Sequence, residues 1–288
     1  MSDNRHFHRT FSLLIVLTAM FLNGCCYQQV SCDTPPANES IYFVQITDTH
    51  LGVDDPGDLE DHYGATEMII GDVKELPVDV DFVAVTGDIM HEKTGDADAE
   101  EKTLAMFAKL EPPVHFLPGN HDILYGPDSE ELLDKYESAF GRADYGFENG
   151  GVWFIMFNSE LLAEGTAEVI DKQIGVLKRL IRASKGKRTV IFIHSSPAAD
   201  LYGGKFHYGW PKEAAEKFTA AINSPQANVI AVIGGHFHRE EKHYFGDVPV
   251  YLTGAVANFW GRQSVFKLFH IDPKGRITYR LRYLGRGN

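Results

Sequence analysis

Past residue 32 the chain has no cysteine; its three, Cys25, Cys26 and Cys32, all sit near the N-terminus. That excludes a cysteine nucleophile, a thiolate zinc site and a disulfide-stapled core for everything that follows them. Positive charge is also short, with 27 Lys and Arg against 40 Asp and Glu and a formal net charge of −13. Such a balance gives no nucleic-acid-binding surface and repels phosphorylated ligands at long range. Phosphate chemistry on this chain therefore needs local positive charge, which bound metal supplies most simply. Internal repeats, low-complexity tracts and long apolar runs are missing too. The apolar stretch over residues 11–22 is too short for an ordinary membrane span.

That stretch follows Arg5 and Arg9 and ends in Leu22, Asn23, Gly24 and Cys25. A basic start, a short apolar segment and small residues before a cysteine make the pattern of a bacterial lipoprotein signal. The expectation is a signal peptide over 1–24, a lipid anchor at Cys25, a tether over 25–40 containing Pro35 and Pro36, and a catalytic domain over 41–288. The protein is then exported and held at the membrane, facing the periplasm or the cell exterior. Ordinary cleavage and a retained anchor are the alternatives.

The remainder has the composition of a globular protein, 44% hydrophobic and 23% charged. Helical periodicity runs over 62–76, 97–110, 128–140, 168–184 and 211–222, separated by short β-branched runs. After Gly235 the pattern is strands alone, over 248–253, 264–271 and 276–283. A mixed β/α order with a strand-rich tail predicts an α/β fold, with helices outside two packed sheets. Residues 195–210 break the regularity with glycines and aromatics, His207 among them, and read either as a substrate-access loop or as packing.

Five polar clusters each follow one of the apolar runs. They are Asp48-Thr49-His50, Gly87-Asp88, Gly119-Asn120-His121-Asp122, His194, and Gly235-His236-Phe237-His238. Strand ends that all carry oxygen or nitrogen donors suggest one site. Asp48 and His50 are spaced to share a strand face and reach one ion, and His236 with His238 can serve one ion or two. Asp88 offers two oxygens and can bridge. Asn120 adds a neutral donor that keeps the site from becoming too anionic. Mixed imidazole and carboxylate donors favour Zn, Fe or Mn over Ca.

Gly-Asn-His and Gly-His-x-His in this order are rare by chance. The whole series resembles the calcineurin-like metallophosphoesterase superfamily, over about residues 41–260. Asp122, where protein phosphatases of the superfamily usually carry Glu, resembles the branch of bacterial class III cyclic nucleotide phosphodiesterases. The resemblance implies a four-layer α/β/β/α sandwich with two divalent or mixed-valence metal ions at the strand ends. One ion is implied to be held by Asp48, His50, Asp88 and His238, the other by Asp88, Asn120, His194 and His236. His121 is implied to act as general acid with Asp122 orienting it, while a hydroxide shared by the metals attacks phosphorus in line. The expected substrate is a small phosphoester, diester before monoester; a non-catalytic metal- or ligand-binding surface lipoprotein is the other reading. His91 stands where the purple acid phosphatases place a tyrosine ligand, but His50 separates this chain from that branch, which makes His91 a substrate contact before a ligand. Asp54, Asp55 and Asp58 read as a solvated loop, and Asn158 with Ser159 as packing.

Overall fold

The structure, a computed structural model, describes residues 40–52, 61–126, 129–257 and 259–284. The signal segment, nearly all of the tether and the Asp54, Asp55 and Asp58 cluster lie outside the described residues. Among the described residues no helix is long and apolar enough to cross a membrane.

The chain runs through β1 (Ile41–Ile46), α1 (His62–Lys74), β2 (Phe82–Thr86), α2 (Ala97–Phe107) and β3 (Val114–Leu117). A one-turn α3 (Asn120–Ile123) and α4 (Ser129–Phe140) lead to β4 (Tyr145–Asn149) and β5 (Val152–Met156). Next come α5 (Glu160–Ala163), α6 (Ala167–Ala183), β6 (Thr189–Phe192), α7 (Lys212–Ile222) and β7 (Val229–Gly234). The hairpin of β8 (Glu241–Phe245) and β9 (Val248–Leu252) precedes β10 (Val265–Ile271) and β11 (Ile277–Tyr283).

Two mixed sheets result, in the orders β11-β10-β1-β2-β3 and β4-β5-β6-β7-β9-β8. Strand alternation explains how they stack. On β1 and β2, Val44, Ile46, Val83 and Val85 face α1, α2 and α4, with Ile69, Val73, Phe107 and Tyr136 in the same cluster. The alternate residues Ile41, Phe43, Phe82 and Ala84 meet Phe154, Phe192 and Ile233 of the second sheet. Beyond that sheet, Ile155, Ile191 and Val232 pack on Ile174, Leu177 and Phe218 of α6 and α7. Three apolar interfaces separate four layers, as the α/β/β/α expectation requires.

All five expected helices and the three strands expected after Gly235 form close to their expected limits, and the β-branched runs between the helices are strands as well. The strands β4 and β8 were not expected. Both lie at sheet edges, where one face meets solvent and Glu148 or Lys242 interrupts the apolar pattern.

One part of the interlayer core is polar. Gln45 Nε2 donates to Thr86 Oγ1 (2.8 Å) and to the Gly234 carbonyl (2.9 Å), and Thr253 Oγ1 donates to Gln45 Oε1. These bonds tie β1 and β2 to the ends of β7 and β9, so the strand ends that carry the donors are fixed relative to each other.

Candidate metal centre

The clusters meet where the two sheets end, but not through strand alternation at Asp48 and His50. β1 stops at Ile46, and Asp48 and His50 both take left-handed backbone, with φ of 54° and 44°. Asp88, His236 and His238 do the same, at 48°, 68° and 51°. Non-glycine residues in this region store strain that the surroundings must hold in place. Here backbone pairing holds it: Asp48 N donates to the Gly87 carbonyl (3.0 Å) and His50 N to the Asp88 carbonyl (2.9 Å). Alternate kinked residues thus turn both side chains the same way, an outcome expected from the spacing but reached by another geometry. Glycine enables the close approach at two points. A Cβ on Gly119 would collide with Asp88, and one on Gly235 with Thr47 and the Asp48 carboxylate.

Asp48, His50, Asp88 and His238 bring one donor atom each within 4.8 Å of one another. His50 Nε2 lies 3.2 Å from His238 Nε2 and 3.5 Å from Asp88 Oδ2, and His238 Nε2 lies 3.3 Å from Asp48 Oδ1. All four are buried. Although burial opposes its charge, Asp48 is held down at about 2, chiefly by His238. Burial drives His50 well below the ordinary histidine value against the pull of Asp88. Two neutral imidazole lone pairs facing each other this closely repel unless a proton or a cation lies between them. The donor set fits a cation.

Asp88, His194 and His236 form a second group. His194 Nδ1 donates to the Thr86 carbonyl (2.9 Å), which leaves Nε2 facing Asp88 Oδ2 and Asn120 Oδ1, each at 3.2 Å. Burial works against a charge on His194, yet Asp88 holds its pKa well above the ordinary value. The geometry therefore demands positive charge between these atoms. Burial and His194 bring His236 down to about 4, so it presents a neutral imidazole. Asp88 belongs to both groups through Oδ2, because Oδ1 accepts the backbone N–H of His121 (2.8 Å).

Asp122 works through the backbone. Its carboxylate accepts the amides of Gly119 (2.8 Å), Met90 (2.8 Å) and Ile89 (3.1 Å), stitching the third cluster to the second. Burial and the Asp88 charge push it up to about 7 against these three donors. Asp122, expected to orient His121, contacts the turn that carries it. His121 stands at the mouth of the site, its ring 31% exposed, with Nδ1 3.7 Å from Glu92. His91, read as a substrate contact before a ligand, stacks on His121 with centroids 4.4 Å apart.

Two supports were not read from the sequence. Buried Glu160 accepts Ser195 N (3.1 Å) and Ser195 Oγ (2.8 Å), and Tyr125 O–H donates to it (2.6 Å). Ser159 Oγ accepts His194 N (3.0 Å), so Asn158-Ser159-Glu160 is a sixth polar cluster after a strand, β5. Position was its signal. The second support is Asp200, which accepts the amides of Tyr202, Gly204, Phe206 and His207 at 2.8–3.0 Å and pairs with Arg239 (3.2 Å). It pins the 195–210 loop beside the fifth cluster, with His207 5.1 Å from the His236 ring and Leu201, Tyr202, Phe206 and Tyr208 exposed.

Residues 41–240 match the calcineurin-like phosphoesterase family. The chain belongs to that family. This calcineurin-like enzyme is a metallophosphoesterase, and the paired donor groups could each hold a metal ion. It is 26% identical to the 3',5'-cyclic adenosine monophosphate phosphodiesterase CpdA of Vibrio vulnificus, covering 91% of this chain and 96% of the relative. It is 24% identical to the mouse serine/threonine-protein phosphatase CPPED1, over 77% of each chain. Among solved structures, a dimetal phosphatase from Danio rerio superposes with a TM-score of 0.57 at 16% identity, covering 87% of this chain and all of that one. That likeness shows the shared fold.

Proposed function

We propose that this metallophosphoesterase hydrolyses phosphodiesters of small molecules at a dinuclear centre. The observation that carries the reading is the single oxygen, Asp88 Oδ2, turned toward histidines of both donor groups. Asp48, His50, Asp88 and His238 would hold one ion, and Asp88, Asn120, His194 and His236 the other, with Mn, Fe or Zn suited to the donors. When bound, the ions supply Lewis acidity that activates water and neutralises phosphate oxygens.

The chain's own residues do the rest. His121, held at the mouth through its backbone bond to Asp88, donates a proton to the departing oxygen. Asp122 keeps the His121 turn in register with Asp88. The pinned loop sets His207 beside His236, where it can contact the substrate. Support for a diester substrate comes from the near full-length similarity to CpdA; the similarity to CPPED1 supports the monoester alternative. Steady-state kinetics on 3',5'-cyclic nucleotides, glycerophosphodiesters and phosphomonoesters test the ordering. A kcat/KM for monoesters above that for every diester would sink it.

The reading extends to location. The order Arg5, Arg9, an apolar segment, Gly24 and Cys25 supports an exported lipoprotein anchored at Cys25. Palmitate labelling that disappears in Cys25→Ala tests it, and labelling of neither chain contradicts it.

A further inference from the structure

We propose that His91 is a positioning residue for the metal centre: its Nδ1 accepts the Nδ1 proton of His50 and so leaves the His50 Nε2 lone pair aimed at the donor group. This rests on the dinuclear reading above. The two Nδ1 atoms are 2.9 Å apart, so one donates and the other accepts. His50 Nε2 is turned the other way, toward Asp88 and His238. A neutral imidazole has one lone pair, and the nitrogen that binds a cation must carry it. His50 therefore keeps its proton on Nδ1, and His91 must accept there and hold its own proton on Nε2. A carbonyl or carboxylate usually fills this place, as the Thr86 carbonyl does for His194.

The backbone sets His91 for the task at both sides. His91 N donates to the Leu51 carbonyl (2.9 Å), next to His50, and Glu92 N donates to the His121 carbonyl (3.0 Å). Nitrogens of His50, His91 and His121 lie close enough to suggest a third cation. Ring geometry opposes it: His91 and His121 are nearly parallel, 18° apart, so their in-plane lone pairs run side by side instead of converging. Binding there would also take the Nδ1 proton that leaves His50 Nε2 free.

Two substitutions separate the accepting role from the stacking one. His91→Asn keeps an acceptor near the Nδ1 position and loses the ring stack; His91→Phe keeps the stack and loses the acceptor. The readout is Mn²⁺ affinity of the full chain by competition with a fluorescent chelator, beside melting temperatures with and without Mn²⁺. His91→Phe should weaken Mn²⁺ binding about 10–100-fold and shrink the metal-induced rise in melting temperature, while His91→Asn stays within about threefold of the parent. Equal affinity in His91→Phe and the parent, equal loss in both variants, a metal-free His91→Phe that melts well below the parent, or a third equivalent of Mn²⁺ lost with either variant would overturn it. A parent that binds no Mn²⁺ contradicts the dinuclear reading itself, a result separate from any of these.

Discussion

Asp88 Oδ2 lies 3.2 Å from His194 Nε2, and the same oxygen is 3.5 Å from His50 Nε2. One atom thus serves both donor groups, while Oδ1 is taken by the His121 amide. Of the two oxygens that make Asp88 a candidate bridge, Oδ2 faces both donor groups and Oδ1 holds the His121 turn. Metal binding and the position of His121 are coupled through this single side chain.

Asn120 Oδ1 lies beside the second group, 3.2 Å from His194 Nε2. Asn120→Asp adds a negative charge where Lewis acidity is needed. The second cation should bind as tightly or more tightly, while kcat falls about tenfold or more. Metal titration and kcat on one preparation check the opposed signs.

His121, the proposed donor to the leaving oxygen, belongs to neither of the paired donor groups. His121→Ala should retain two metals per chain and lose about 10²–10⁴-fold in kcat. The loss should be small for p-nitrophenyl esters, whose leaving group needs no proton, and large for alkyl esters. Rates across such a leaving-group series, together with metal analysis, measure this.

Asp200 pins the 195–210 loop without touching the donors. Replacing it with Ala removes the acceptor of four backbone amides and frees the 195–210 loop. KM should rise about tenfold for diesters bearing an aromatic group, with kcat changed less than threefold, roughly the loss of one or two net hydrogen bonds. A fall in kcat at unchanged KM would place the loop's role elsewhere.

Lys267 is wholly buried between the sheets; its Nζ donates to the Leu252 carbonyl (2.8 Å) and sits 4.4 Å over the Tyr279 ring. Burial lowers its pKa from 10.5 to about 8, against the pull of Glu240. Below pH 8 the folded and unfolded chains both carry the proton, and the burial penalty is fully present. Between pH 8 and 10.5 the unfolded chain binds more protons, so this group adds stability as pH rises. Urea unfolding at pH 7 and pH 10 should show the parent gaining on Lys267→Met by at most about 3 kcal/mol.

Much of this was legible in the sequence because the donors sit at the ends of strands buried on both faces, such as β1 and β2, whose apolar runs stand out. The donor residues themselves were readable, since a site built at strand ends leaves short clusters beside those runs. What holds them was not. Left-handed backbone at Asp48 and His50 depends on pairing with Gly87 and Asp88, some forty positions away. Gln45 and Lys267 occupy apolar-looking strands, and their partners come from the other sheet. Asp200 and Arg239 pair across loops with no fixed spacing. Contacts between distant segments leave no local pattern to read.

The central claim is that Asp88, whose Oδ2 faces both donor groups, would be the ligand two cations share. In Asp88→Asn, the His121 amide holds the remaining oxygen, so an NH₂ group faces His50 and His194. The direct test is metal content by mass spectrometry together with bis(p-nitrophenyl) phosphate turnover, on the parent and on Asp88→Asn. Two metals per parent chain, fewer than two in the variant, and a turnover loss of about 10²-fold or more are the predicted result. Turnover in Asp88→Asn comparable to the parent, or a parent that turns over with one metal, would contradict it.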